Sequence, residues 1–161
     1  MVKIYTLGTS NRTLEEFLEI LKIYSIQTVI DVRRWPTSKW FEHFKKENIQ
    51  KILEERNIKY FHFEKLGGYR EGGYSEYTKT EEFKEALQRL VEVAKFTQTV
   101  LICAERLPWK CHRALICENL KEEFEVVHII EKNKIWRPEL EKRIIKPICE
   151  KFKKDFSTKS C

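Results

Sequence analysis

The sequence predicts an α/β fold: a three-layer, mostly parallel five-stranded sheet with helices on both faces. Three observations predict it. Short, β-branched apolar runs alternate with segments whose apolar residues recur at helical spacing. Capping and turn residues punctuate the alternation. The 161-residue length suits one domain with a self-sufficient core.

Lys3 to Leu7 reads as the first strand, and Gly8-Thr9-Ser10-Asn11-Arg12 as a small polar loop. Thr13-Leu14-Glu15-Glu16 has the capping-box pattern, and Leu14, Phe17, Leu18 and Leu21 give the helix after it one apolar face. Thr28 to Val32 is the second strand; Pro36 stops regular structure beyond it. Ile49, Ile52 and Leu53 mark a second helix ending near Asn57, and Lys59 to Phe63 a third strand. Glu64 to Lys79 reads as a long loop with four of the five glycines and with Tyr69, Tyr74 and Tyr77. Thr78 or Thr80 caps a third helix with Phe83, Leu87, Leu90, Val91 and Ala94 on its face. Val100 to Cys103 is the fourth strand, followed by a loop and a helix through Leu120. Glu125 to Ile130 is the fifth. Residues 1–131 form the α/β domain; residues 132–161 read as a basic helical extension packed on it.

Charge sharpens that division. Lys and Arg number 31 and Asp and Glu 25, net +6. Residues 1–131 hold 21 of each, so the whole excess lies in the last thirty residues, a segment suited to acidic partners or nucleic acid. No apolar run approaches the ~20 residues that span a bilayer, and the N-terminus reads directly as a strand, so no membrane is expected and the location expected is cytoplasmic. Five irregularly spaced cysteines do not suggest a disulfide framework. Cys117 and Cys149 fall on apolar helical faces, as small buried hydrophobes do.

In a parallel sheet the strand C-termini share one edge, where ligands bind. Position alone collects Gly8, Ser10 and Arg12 from the first strand, and Asp31, Arg33 and Arg34 from the second. It adds Gly67 and Gly68 from the loop after the third, and Cys103, Glu105, Cys111, His112 and Arg113 from the fourth. Arginines arriving from three loops favour an anion there. Ser10, Arg33 and Arg113 are the candidate anion ligands. Glu105 and His112 are candidate acid or base. Cys103 and Cys111 are candidate nucleophiles or lining. Gly8, Asp31, Gly67, Gly68 and Tyr77 support the site. At least two of Trp35, Trp40 and Trp109 are expected to close the core under the loops, and His128 to be a hydrogen-bonded core histidine.

The expected partner is an anionic small molecule, such as a nucleotide or another phosphorylated substrate, or a nucleic acid. A hydrolase or transferase would act on such a substrate. A non-enzymatic module would bind nucleic acid through the edge arginines, the tyrosine-rich glycine loop and the basic tail. The Cys to Arg spacings, ten residues from Cys103 and two from Cys111, fit no tyrosine-phosphatase-like loop. A cysteine- or zinc-dependent enzyme is a further alternative, with zinc ligands from Cys103, Glu105, Cys111 and His112 or His128. It is not favoured, because adjacent residues on a helix point about 100° apart and no C-x₂-C pair is present.

These residues resemble a family. Thr6-Leu-Gly-Thr-Ser10, Asp31-Val-Arg33 with Pro36 and Ser38, and Leu66-Gly-Gly68 look like its motif set. So do Tyr77 with Thr80 and Phe83, and Cys103-Ala-Glu105 with Cys111-His-Arg113. The family is the domain of unknown function 488 family, and the ordered match runs from about residue 3 to 131. One departure is Thr9, where the family often has His. The resemblance implies a small α/β domain and leaves the chemistry open.

Overall fold

A computed structural model describes residues 1–138. Its strands are β1 (Val2–Gly8), β2 (Thr28–Asp31), β3 (Lys59–His62), β4 (Thr99–Cys103), β5 (Phe124–Glu131) and β6 (Lys134–Trp136). Its helices are α1 (Leu14–Ile23), α2 (Lys46–Glu54), α3 (Tyr74–Tyr77), α4 (Glu81–Ala94) and α5 (Arg113–Glu118). The sheet runs β3-β2-β4-β1-β5-β6. The first five strands are parallel, as expected, and β6 adds a sixth, antiparallel to β5. Residues 134–136 thus continue the sheet beyond residue 131 where a helical extension was expected, and the extension from residue 139 on, with Cys149, lies outside the described residues.

Side-chain alternation divides the core into two layers. Ile4, Ile30, Leu101, Cys103 and Val126 face α4 and α5, against Phe83, Leu90 and Ile116. Tyr5, Leu7, Val29, Val100, Ile102 and Val127 face α1 and α2, against Phe17, Ile20, Ile49 and Leu53. β4 is buried at every residue, which explains why its sequence is an unbroken apolar run rather than an alternation.

The caps follow the sequence in part. Thr13 accepts from the Glu16 amide at 3.1 Å, but the Glu16 carboxylate serves Arg12 at 2.9 Å. Thr80, not Thr78, caps α4, accepting from the Phe83 amide at 3.2 Å. The expected long loop is not structureless: a 3₁₀ turn at Glu64–Leu66 and the single-turn α3 interrupt it. Tyr74 and Tyr77 are buried there, their hydroxyls donating to the Leu66 and Lys65 carbonyls at 2.7 and 2.6 Å.

Gly8 sets the geometry of the sheet edge. A Cβ there would lie 2.1 Å from the Glu105 carbonyl oxygen, so only glycine lets the β4–α5 loop close over β1. Gly8→Ala is expected to lower unfolding stability by about 1–3 kcal/mol in urea titration, because the obstacle is backbone that must move.

Candidate functional site

The loop leaving β4 doubles back on itself, and this reversal creates the site. Cys103 ends the strand on its α5-facing side. Cys111 is extended (φ −132°, ψ 145°), and His112 is the residue that precedes α5. Cys111 is therefore not in the helix, and the 100° divergence expected of helical neighbours does not apply. The Sγ atoms of Cys103 and Cys111 and a ring nitrogen of His112 all lie within 4.8 Å of one another. All three side chains are at most 1% exposed.

His112 is held in one orientation. Its Nε2 lies 2.8 Å from the Val32 carbonyl, which can only accept, so Nε2 carries a hydrogen. Nδ1 is thereby turned to the thiols, 3.9 Å from Cys103 Sγ and 3.8 Å from Cys111 Sγ. Burial pushes the imidazole pKa down, but the two sulfurs outweigh it and hold it well above the ordinary value. The Tyr74 ring lies 4.9 Å from the His112 ring, so the glycine loop covers the cluster.

Of the three candidate anion ligands, Arg33 and Arg113 are engaged elsewhere. Asp31 registers with Ile102 and so projects to the α1/α2 side, opposite Cys103. There it takes a two-pronged pair with Arg33, Nε–Oδ1 at 2.9 Å and Nη2–Oδ2 at 2.7 Å, and accepts from the Tyr60 hydroxyl. Burial works against the Arg33 charge, yet Asp31 raises its pKa. Arg113 does not face Asp31. It is fully buried and spends Nη1 on the Glu105 carbonyl, Nη2 on the Arg106 carbonyl at 2.9 Å and Nε on Thr6 Oγ1 at 3.3 Å. Ser10 occupies a turn at φ 45°, its amide donating to the Ala104 carbonyl at 2.8 Å.

The remaining candidates divide similarly. Glu105 turns into its own loop, accepting from the Leu107 amide at 3.3 Å. Gly67 makes a close approach rather than only a turn: a Cβ there would lie 2.3 Å from Arg34 Cα, with buried Gly68 beside it. Tyr77 supports that loop and carries Arg70 over its ring at 4.3 Å. Trp35 and Trp40 do not close the core; they are 59% and 81% exposed. Trp109 packs edge-on against Trp136. Cys117 is buried as expected, its thiol pushed up to about 12 by burial.

His128 is the core histidine that its place in an apolar strand suggested. Its Nδ1 lies 2.6 Å from Thr6 Oγ1, which already accepts from Arg113, so the hydroxyl proton points to Nδ1. Tyr60, Tyr74, Thr6 and the Val32 carbonyl carry much of the site's bonding; Thr6 and Val32 lie inside the family-like motifs without a role being read for them, and Tyr60 and Tyr74 lie in none. The tyrosines were visible only as aromatic residues near glycines or in a strand; register and loop reversal assign their partners.

A family model described as Domain of unknown function DUF488 matches residues 13–120. The Asp31-Val-Arg33, Leu66-Gly-Gly68 and Cys103 to Arg113 motifs lie inside that span, and Thr6 to Ser10 precedes it. No curated protein matches the chain.

Two expectations follow for stability. Arg113→Met leaves two loop carbonyls and Thr6 without their donor and is expected to cost about 2–4 kcal/mol in chemical denaturation, with Arg113→Lys recovering only part. Burial, then Arg113, lowers the His128 pKa to about 3, so folding excludes a proton that the unfolded chain takes up near pH 6.5. The stability this group contributes is present above about pH 6.5 and is lost as pH falls toward 3. The urea midpoint should decline between pH 6.5 and 4.5, and decline less in His128→Gln.

Proposed function

The chain belongs to the DUF488 family, and from its Cys–His cluster we propose a metal-binding function: Cys103, Cys111 and His112 hold a zinc-class divalent ion. One observation carries the reading. Nδ1 of His112 is aimed between two sulfurs at 3.8 and 3.9 Å while Nε2 is fixed on a backbone carbonyl. A metal-ligating histidine is oriented in this way by its second nitrogen. Tetrahedral zinc with Zn–S near 2.3 Å and Zn–N near 2.0 Å sets S···N edges of about 3.5 Å and an S···S edge of about 3.8 Å, so the imidazole needs to move by about 0.3 Å and the two sulfurs, now within 4.8 Å, to close by up to about 1 Å. Two thiolates and one imidazole suit zinc by softness and by number.

Three protein ligands leave the fourth tetrahedral position to a water or another small ligand. Glu105 and His128, which would have completed a four-residue set, are each bonded elsewhere. A cysteine nucleophile without metal is less well supported, because Cys103 and Cys111 are 1% and 0% exposed and α3 and its glycine loop cover the imidazole. The anion reading loses its principal donor, since every Arg113 nitrogen is committed to the β4–α5 loop or to Thr6.

Elemental analysis of the purified protein is expected to find zinc near one ion per chain. Cobalt exchanged into the site should show thiolate-to-cobalt charge-transfer bands of tetrahedral character. Cys103→Ser, Cys111→Ser and His112→Ala should each lose the bands, and Cys117→Ser should keep them. Wild-type protein that takes up neither ion, at a pH where thiols ionise readily, would refute the assignment.

A further inference from the structure

The connection after β2 and the glycine loop after β3 meet outside the Cys–His cluster. Trp35 and Tyr69, 59% and 57% exposed, bring their ring centroids to 5.7 Å at an interplanar angle of 31°. The Arg34 guanidinium lies 4.8 Å from the Trp35 ring centroid and donates to the Tyr69 carbonyl. Trp40 on the same connection is 81% exposed, with Lys39 5.5 Å from its ring centroid. We propose that this paired aromatic platform, with the cations around it, binds single-stranded nucleic acid by stacking bases on Trp35 and Tyr69.

Three features favour that occupant. First, the rings are presented by a built surface. Gly67 sits against Arg34 backbone, Arg70 Nε donates to the Gly67 carbonyl at 3.0 Å, and Tyr69 is held at φ 58°, a conformation uncommon for a bulky residue. These contacts tie the two loops together without a ligand, which lowers the entropic cost of binding. Second, charge is concentrated here. Residues 34–46, beyond the buried Arg33–Asp31 pair, contain four Lys or Arg and one Glu, whereas residues 1–131 as a whole are balanced. A polyanion carries the complementary charge along a length that can reach Arg34, Lys39 and Lys45. Third, the exposed apolar groups are flat rings with cations on or beside them, not the aliphatic face that an interfacial membrane segment presents. Base stacking on aromatic rings is sequence-tolerant, so a strand of mixed sequence is the ligand class.

The test uses the full chain and fluorescence anisotropy with labelled single-stranded oligo(dT) and oligo(rU), over a salt series. Wild-type protein is expected to bind either or both, more weakly as salt rises. Trp35→Ala and Tyr69→Ala should each weaken binding by about fivefold or more, and Trp35→Phe should restore most of it. Circular dichroism of each variant checks the fold. Trp40→Ala, at a side chain almost wholly in solvent, gives an independent variant whose affinity should also fall. No binding at low salt would overturn the proposal. So would unchanged affinity in Trp35→Ala and Trp40→Ala, which would place the contact on the basic residues 132–161. Equal affinity for duplex DNA, or retention only by anionic phosphatidylserine vesicles, would overturn it too.

Discussion

The buried Arg113 fork is the constraint on which the edge of the sheet depends. Eight residues separate Cys103 from His112, and nothing local makes a chain of that length return to its starting point. Arg113 does so from the first turn of α5, taking the Glu105 and Arg106 carbonyls of the outgoing chain and Thr6 of the neighbouring strand. Gly8 removes the Cβ that would hold that chain away from β1. With both in place, Cys111 and His112 are returned to Cys103. A guanidinium suits this task because its planar donors reach several carbonyls at once, which an ammonium does not do with fixed geometry. A residue that looks like an anion ligand by type and position is thereby a loop clamp.

The same economy separates the two charged groups of the edge. Alternation sends Asp31 to the α1/α2 layer and Cys103 to the α4/α5 layer, although both end adjacent strands. Asp31 is completely buried, and its charge is met by Arg33 and by the Tyr60 hydroxyl from the next strand. A buried carboxylate so paired leaves little of either partner for a ligand. Cys103 lies on the other face, and the Asp31 carboxylate is kept for Arg33 and Tyr60.

The fold was legible in the sequence because periodicity and punctuation agree at almost every element. The strand cores at Val29–Ile30 and Val100–Cys103, the Thr13 cap and the face of α4 all read correctly. β6 was missed because Lys134-Ile135-Trp136 is three residues long and follows a two-residue turn amid lysines. The site was legible as a location and a set of residue types. Its grouping was not, since that depends on where a loop turns back. Helical spacing was the wrong ruler for Cys111 and His112, because regular helix begins only at Arg113. The exposed tryptophans were misassigned for a related reason: a large ring is usually buried, and nothing in the local sequence shows that the β2 connection leaves Trp35 and Trp40 in solvent.

One short segment links the cluster to the aromatic surface. From Asp31 to Trp35 each residue serves a different neighbour. Asp31 holds Arg33 and Tyr60; the Val32 carbonyl fixes His112; the Arg33 carbonyl meets His62 Nε2 at 2.7 Å. Arg34 then binds the Tyr69 carbonyl and lies 3.6 Å from the Glu64 carboxylate, and Trp35 faces solvent beside Tyr69. The residue that orients the imidazole is thus three positions from the ring that leads the exposed platform. A strand end buried on both sides has little freedom to adjust one partner without the others. The backbone that aims His112 at the two thiols thus leads directly into the connection that carries Trp35.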